Sequence, residues 1–465
     1  MTLGHMPYIG LLDTANSKDI GAKTYNTVEP KNIEALLSTQ FEGQPTRRFP
    51  VTHIKTDKFV DFGFGKRTNN FAPLLGSGIF TQDGAAWKHS RALLRPQFAM
   101  NRDLNFDSAK KSVETLARNI RRDSVVDLQP LFYRLSLETT LFLLFGNSLS
   151  SSQNERIVGQ HAEFAEAFHE AQTYLSHRGR LGDYYWLANP PKFWRACRIT
   201  HEFIDQGIRG ANGEVDTPQS GTSLQEEKKH RTFIGALLQK TSNEKVVRDQ
   251  CLALLLAGRD TTACCLSWAF RLLVRHPEVL DKLRAEVKMV IGLGEHATQP
   301  TRASLKGLRY LDSFLKEVLR LYPIAPVNGR TAVRTTTLPV GGGPEGQSPF
   351  LVRKGEVVGY SVYAMHRRKD LYGEDALEFR PERWEDGTLL RRVGFGYLPF
   401  NGGPRVCLGQ DYALSEIGYA VVRLIQKFPN MKMPDDEPVE VLGQEKQALT
   451  LVLAPGNGCR VLMRS

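Results

Sequence analysis

Near the C-terminus, Phe400-Asn401-Gly402-Gly403-Pro404-Arg405-Val406-Cys407-Leu408-Gly409 sets one cysteine in a loop with the spacing F-x-x-G-x-R-x-C-x-G. A thiolate that is to ligate a metal needs donors and positive charge around its sulfur. Gly403 and Gly409 let the backbone turn and aim N–H groups at the sulfur. Arg405 adds a cation, and a helix expected from Gln410 to Phe428 brings its positive dipole end behind Cys407. The pattern is that of a loop holding a cysteine against a metal; the plainer alternative is a buried free cysteine in a Gly-Pro turn.

Four weaker groups precede it. Ala257-Gly258-Arg259-Asp260-Thr261-Thr262 lies in the middle of a helix expected over Lys245 to Val274, roughly 45 Å long at 1.5 Å per residue. A mid-helix glycine costs about 1 kcal/mol relative to alanine, and threonine hydroxyls bond back to the preceding turn. A weakened turn of this kind leaves room for a small molecule and frees Asp260 and Thr261 to handle protons; glycine used for helix packing is the alternative. Glu317 and Arg320 share a helix face at i, i+3 over Leu311 to Leu321, an arrangement that is usually solvated. The turn Phe379-Arg380-Pro381-Glu382-Arg383-Trp384 offers Arg383, whose planar guanidinium completes a buried Glu-Arg-Arg cluster if the three meet. Trp87 and Arg91, one turn apart on a helix capped by Asp83, are two donors suited to a carboxylate.

The elements that must position these groups read as mainly helical with small sheets. Residues 80 to 330 show 3.6-residue apolar periodicity, while 324 to 363 and 436 to 463 look extended and rich in turns. The chain of 465 residues is 41% hydrophobic and 24% charged, a globular balance with a sizeable core. Arg209 to His230, poor in apolar residues, reads as an exposed loop inside one domain. The six cysteines form no C-x-x-C pair, which argues against a zinc site and a disulfide framework. The formal charge of +11 suits an acidic partner or an anionic surface without choosing between them. No run of about 18 apolar residues is present to span a bilayer.

Taken in chain order, Trp87/Arg91, Ala257 to Thr262, Glu317/Arg320, Arg383 and the Cys407 loop resemble the cytochrome P-450 superfamily, with the likeness running from about residue 24 to the C-terminus. The resemblance implies the family's fold, one haem-thiolate monooxygenase domain over 1–465 with a long central helix across the haem, and insertion of one oxygen atom from dioxygen into a C–H bond. By position it implies Cys407 as axial ligand of haem b iron, with Phe400, Gly403 and Gly409 shaping its loop. Asp260 and Thr261 become the acid-alcohol pair, and Ala257 and Gly258 line the oxygen groove. Trp87, Arg91, Arg330 and Arg405 become partners of the haem propionates, and Glu317, Arg320 and Arg383 a structural ionic cluster. Electrons are implied to come from an NADPH-dependent flavoprotein reductase, for which Lys88, His89, Arg95, Arg391 and Arg392 are a candidate basic docking face.

Finer likenesses in Asp83 to Phe98, Asn328 to Gly343 and Tyr360 to Arg368 resemble the fungal alkane- and fatty-acid-hydroxylating group. They imply an apolar substrate with dioxygen as co-substrate and no nucleic-acid partner. Candidate pocket residues are Phe71, Leu74, Leu75, Leu254, Ile324 to Val327 and Ala448 to Leu451. A tailoring oxidase of secondary metabolism is the alternative within the class; a haem-binding protein without turnover is the alternative outside it. Two departures stand out: the N-terminal anchor helix of this branch is missing from the chain, and residues 42–60 form an atypical insert, an extra loop or a retained intron. Attachment to the cytosolic face of the endoplasmic reticulum membrane is implied by resemblance, with Tyr184-Tyr185-Trp186-Leu187 as a candidate interfacial loop.

Overall fold

The computed structural model describes residues 9–11, 23–41, 61–100, 102–146, 155–216, 232–294 and 297–464, so the atypical insert lies outside the described residues. The chain divides into two compact units, one of Met1–Arg67, Leu319–Phe379 and Asp386–Cys407, the other of Thr68–Val318, Arg380–Glu385 and Leu408–Ser465. The architecture is mainly helical with small sheets, as the periodicity predicts.

The first unit is built on a five-stranded sheet in the order Ile9–Leu11, Thr24–Thr27, Val357–Ser361, Val327–Ala332, Phe62–Gly63. Its one parallel pairing joins Thr24–Thr27 to Val357–Ser361. Asn328 pairs with Tyr360 and Arg330 with Val358 across the central antiparallel ladder. A hairpin of Thr336–Gly342 and Ser348–Val352 stands beside it. Ile33, Leu36, Leu37, Phe62, Val358, Tyr360, Met365 and Leu398 are buried together as the apolar core of this unit.

The second unit is a helical assembly around Glu244–Leu273, close to the expected span. Asn243 caps this helix by accepting from the Val246 amide at 3.3 Å, and Glu244 follows in its first turn. Most of its residues are buried because neighbours surround it: Leu128–Phe145, capped by Asp127, packs along it. Helices Glu155–Leu181 and Pro191–Asp216 pair through Phe164 stacked on Phe203, ring centroids 4.0 Å apart. Helix Gln410–Lys427 is tied to Arg102–Asn119 by Arg423 Nε donating to Glu114 at 2.5 Å. The segment Arg209 to His230, expected as a loop, is helical as far as Asp216, and residues 217–231 lie outside the described part. Arg209 to Asp216 simply extends the helix begun at Pro191, whose packing outweighs the polar local composition.

Candidate active site

The cysteine loop is in the first unit. The Cys407 amide donates to Phe400 O at 3.0 Å and so closes the loop on itself. Gly403 has φ +65, and a Cβ there would sit 2.0 Å from Leu37 O, so only glycine fits. Gly409 has φ −93, and its carbonyl starts the next helix by accepting from the Ala413 amide at 2.9 Å. Of the six cysteines, Cys407 alone is exposed, while Cys197, Cys251, Cys264, Cys265 and Cys459 are buried. Burial pushes those five thiols up, Cys197 and Cys265 to about 12, which leaves them inert as ligands.

Arg405 and Arg330 converge on a residue that the motifs did not single out. Phe64 has the guanidinium of Arg405 at 4.1 Å, Arg67 at 4.5 Å and Arg330 at 5.0 Å from its ring centroid. Arg67 also donates to Asn328 Oδ1 at 2.6 Å, and Arg330 to Gly329 O at 2.8 Å. Cation–π contact moderates the repulsion among three like charges on one ring. Such a set is the donor array that an anionic group would neutralise. No sequence spacing links Phe64 to Arg330 and Arg405; the sheet pairing and the loop bring them together.

Arg320, also in the first unit, is fully buried and points its fork at three backbone carbonyls: His366 at 2.9 Å, Ala376 at 2.6 Å and Glu378 at 2.9 Å. His366 is likewise fully buried. Arg320 O can only accept, so His366 Nδ1, 3.0 Å away, carries the proton, while Nε2 accepts from the Leu398 amide at 2.9 Å. Burial lowers its pKa to about 3 and holds the ring neutral.

The other candidates are in the second unit. Glu317, without exposed surface, accepts from Arg383 Nε and Trp384 Nε1 at 2.8 and 2.9 Å and from the Arg380 amide at 2.9 Å. Glu317 and Arg383 therefore meet, and the indole of Trp384 is an added donor. Trp87 is buried with Arg91 placed 5.7 Å from its ring centroid. Their helix, Gly84–Met100, is fastened to the long helix by a relay in which Gln250 donates to Ser90 Oγ at 2.8 Å and Ser90 to Gln82 at 2.6 Å. Lys88, His89 and Arg95 are exposed on this helix, and Arg391 and Arg392 are exposed in the first unit.

On the long helix, Thr261 Oγ1 donates back to Ala257 O at 2.5 Å, as expected of a mid-helix hydroxyl. The helix is continuous through Gly258, and the glycine answers a neighbour: a Cβ would lie 2.5 Å from Thr140 Oγ1. Close packing of two helices therefore demands it. Asp260 is buried with Oδ1 3.4 Å from Arg259 Nη1. Burial raises its pKa, and Arg259 opposes that rise. Arg259, which the motif reading passed over, lies 5.4 and 5.8 Å from the rings of Tyr133 and Phe168. Leu74, Leu75 and Leu254 are buried in one apolar cluster, with Phe71 and Leu451 packed against it. Of the other pocket candidates, Ile324 is buried and Val327 exposed, both in the first unit.

Comparison with known proteins settles which family this geometry serves. The family model for cytochrome P450 matches residues 49–458, which takes in every candidate position. The chain belongs to the cytochrome P450 family. It is 53% identical to a cytochrome P450 of Arthroderma benhamiae over 95% of this chain and 82% of the relative. It is 40% identical to cytochrome P450 52A5 of Candida maltosa over 94% of this chain and 81% of the relative. Among solved structures it resembles the haem domain of cytochrome P450DA at a TM-score of 0.74 and 22% identity, covering 98% of this chain and 90% of that one, a likeness of fold. As a P450 the protein is a monooxygenase that uses haem with an axial cysteine, electrons from NADPH through a reductase, dioxygen and an apolar substrate.

The donor set fits that cofactor. Among the described residues no group of three or more His, Cys, Asp or Glu is placed to hold a metal ion. Cys407 is exposed and offers a single thiolate, and the arginines around Phe64 suit the anionic propionates of haem.

Proposed function

We propose that the protein hydroxylates fatty acid or alkane chains, as one monooxygenase domain with Cys407 as the axial thiolate. The observation that carries the substrate reading is the apolar cluster of Phe71, Leu74, Leu75, Leu254 and Leu451, because Leu254 lies one helical turn ahead of Ala257 to Thr261. A chain lying along these side chains ends at the turn that handles protons. The likeness of Asp83 to Phe98, Asn328 to Gly343 and Tyr360 to Arg368 to the alkane- and fatty-acid-hydroxylating group supports the same substrate class.

Bound haem supplies dioxygen activation, and in this family its cysteine ligand pushes electron density that favours O–O cleavage. Phe400, Gly403 and Gly409 shape the loop that presents Cys407, and Arg405, Arg330, Trp87 and Arg91 hold the propionates. Asp260 keeps a proton more readily than an exposed carboxylate, since burial raises its pKa. Its Oδ1 is buried without a hydrogen-bond partner among the described residues and is the atom that takes a proton from water and passes it on. Thr261 holds its hydroxyl on Ala257 O and turns it toward water when a proton is to move. Ala257 and Gly258, in the turn before these two side chains, are the proposed lining of the oxygen groove. Glu317, Arg320 and Arg383 act as fixtures of the scaffold.

Lys88, His89 and Arg95, with Arg391 and Arg392, are the proposed contacts of the reductase. No helix among the described residues is long and apolar enough to cross a membrane. Trp186 and Leu187 are nevertheless 58% and 60% exposed on the turn Gly182–Leu187, which supports contact with the endoplasmic reticulum surface. The test is a carbon-monoxide difference spectrum of the reduced protein, followed by spin-state titration with fatty acids, alkanes and cyclic metabolites. A thiolate-type band lost in Cys407→Ser, with high-spin shifts for chains, is the expected result. Absence of the band from the haem-loaded protein removes the monooxygenase site, and a response to cyclic metabolites alone moves the substrate to secondary metabolism.

A further inference from the structure

Helix Glu155–Leu181 ends with two arginines on either side of a glycine, and the structure treats them differently. Arg178 is buried, and its fork is fully engaged: Nε donates to Asn70 O at 2.7 Å, Nη2 to Asn69 O at 3.2 Å, and Nη1 to Asn189 Oδ1. It fastens the segment that carries Phe71. At Gly179 a Cβ would lie 3.7 Å from Phe71 Cε1, so the ring is at contact distance from this turn of the helix. Arg180 is exposed, and it donates from Nη2 to Leu449 O. Among the described residues no carboxylate pairs with it.

We propose that Arg180 reads the head group of the substrate, holding the carboxylate of a long-chain fatty acid at the outer end of the apolar cluster. This rests on the reading of the protein as a fatty-chain hydroxylase and adds the feature that separates acids from alkanes. A guanidinium has five N–H donors in a planar fork that matches a carboxylate, and the Leu449 carbonyl engages one end of it. That same bond places Arg180 two residues from Leu451, which, like Phe71, packs against the apolar cluster that includes Leu74, Leu75 and Leu254. The chemistry along this path is a cation at the surface, then apolar side chains, then the turn of Asp260 and Thr261. A molecule with an anionic head and a long apolar tail matches all three; an alkane or a cyclic hydrocarbon has nothing to offer the cation.

The experiment uses the haem-loaded full chain, titrated with dodecanoate and with 1-dodecanol and read both by calorimetry and by the low- to high-spin shift. Arg180→Gln is expected to weaken dodecanoate about three- to tenfold, the scale of one partly exposed charge-assisted contact. It should leave dodecanol within about twofold, and Arg180→Lys should recover part of the loss because it keeps the charge without the fork. Raising the salt concentration should bring the wild-type affinity for dodecanoate toward that of Arg180→Gln. Equal weakening of both ligands would make Arg180 a structural residue, and no weakening of dodecanoate would put the head group elsewhere; either result overturns the proposal while the fatty-chain reading stands. If the wild-type protein binds neither ligand, the fatty-chain reading fails and the proposal with it.

Discussion

Lowering the pH should act on the cysteine-bearing unit through His366. Its ring is wedged between Arg320 O, which requires a proton on Nδ1, and the Leu398 N–H, which requires a lone pair on Nε2. Protonating Nε2 would set two N–H groups against each other in a site without exposed surface. The pKa is accordingly lowered from the ordinary 6.5 to about 3. A histidine with a depressed native pKa contributes stability that is complete above the unfolded value, and this is lost as pH falls from 6.5 toward 3. At 1.36 kcal/mol per unit, the loss at pH 5 is about 2 kcal/mol. Urea unfolding followed from pH 7.5 to 5 in the wild type and in His366→Gln measures it. The variant keeps one acceptor but cannot titrate. It should be less stable at pH 7.5 by about 1–3 kcal/mol, the cost of a disrupted buried hydrogen bond, and the difference should shrink by about 2 kcal/mol at pH 5. A difference that is constant over this range would refute the argument, because it would mean that His366 takes up protons equally in the folded and unfolded chain.

Glu317→Ala leaves Arg383, Trp384 and the Arg380 amide without their shared acceptor, and chemical denaturation should show a loss of about 3–5 kcal/mol, with Glu317→Gln losing less. Gly258→Ala drives a methyl group toward Thr140 Oγ1; it should destabilise by about 1–3 kcal/mol, and the double variant with Thr140→Ala should recover much of the loss. Glu416 is fully buried, accepts from Thr139 Oγ1 at 2.7 Å and has its pKa raised by burial to about 7 from the ordinary 4.5. A carboxyl with a raised native pKa favours the fold while protonated, so stability declines as pH rises from 4.5 through about 7. Thermal melts at pH 8 should show Glu416→Gln gaining on the wild type by about 3 kcal/mol relative to their difference at pH 4.5.

How far the site can be read from sequence depends on how local each signal is. The loop around Cys407 is covalently contiguous, and Gly403 meets Leu37 O as its expected turning role requires. The span of the long helix follows from periodicity and from Asn243 ahead of Glu244. Thr261 bonds back to Ala257 because both are on one helix. Gly409 takes a backbone conformation that other residues share, at the start of the following helix, so its φ adds nothing to the motif. The reason for Gly258 is Thr140, on another helix and so invisible in the local sequence.

Local chemistry and order along the chain therefore determined the family, the cysteine loop and the helical class of this protein. Only the tertiary structure decided that Phe64 gathers Arg67, Arg330 and Arg405, that Trp384 joins Glu317, that His366 is a neutral ring with its proton on Nδ1, and that Arg180 reaches Leu449 O. The reason is distance along the chain. Caps and periodicity act within a few residues, whereas these contacts join residues tens to hundreds of positions apart and exist only once the sheet and helices have packed.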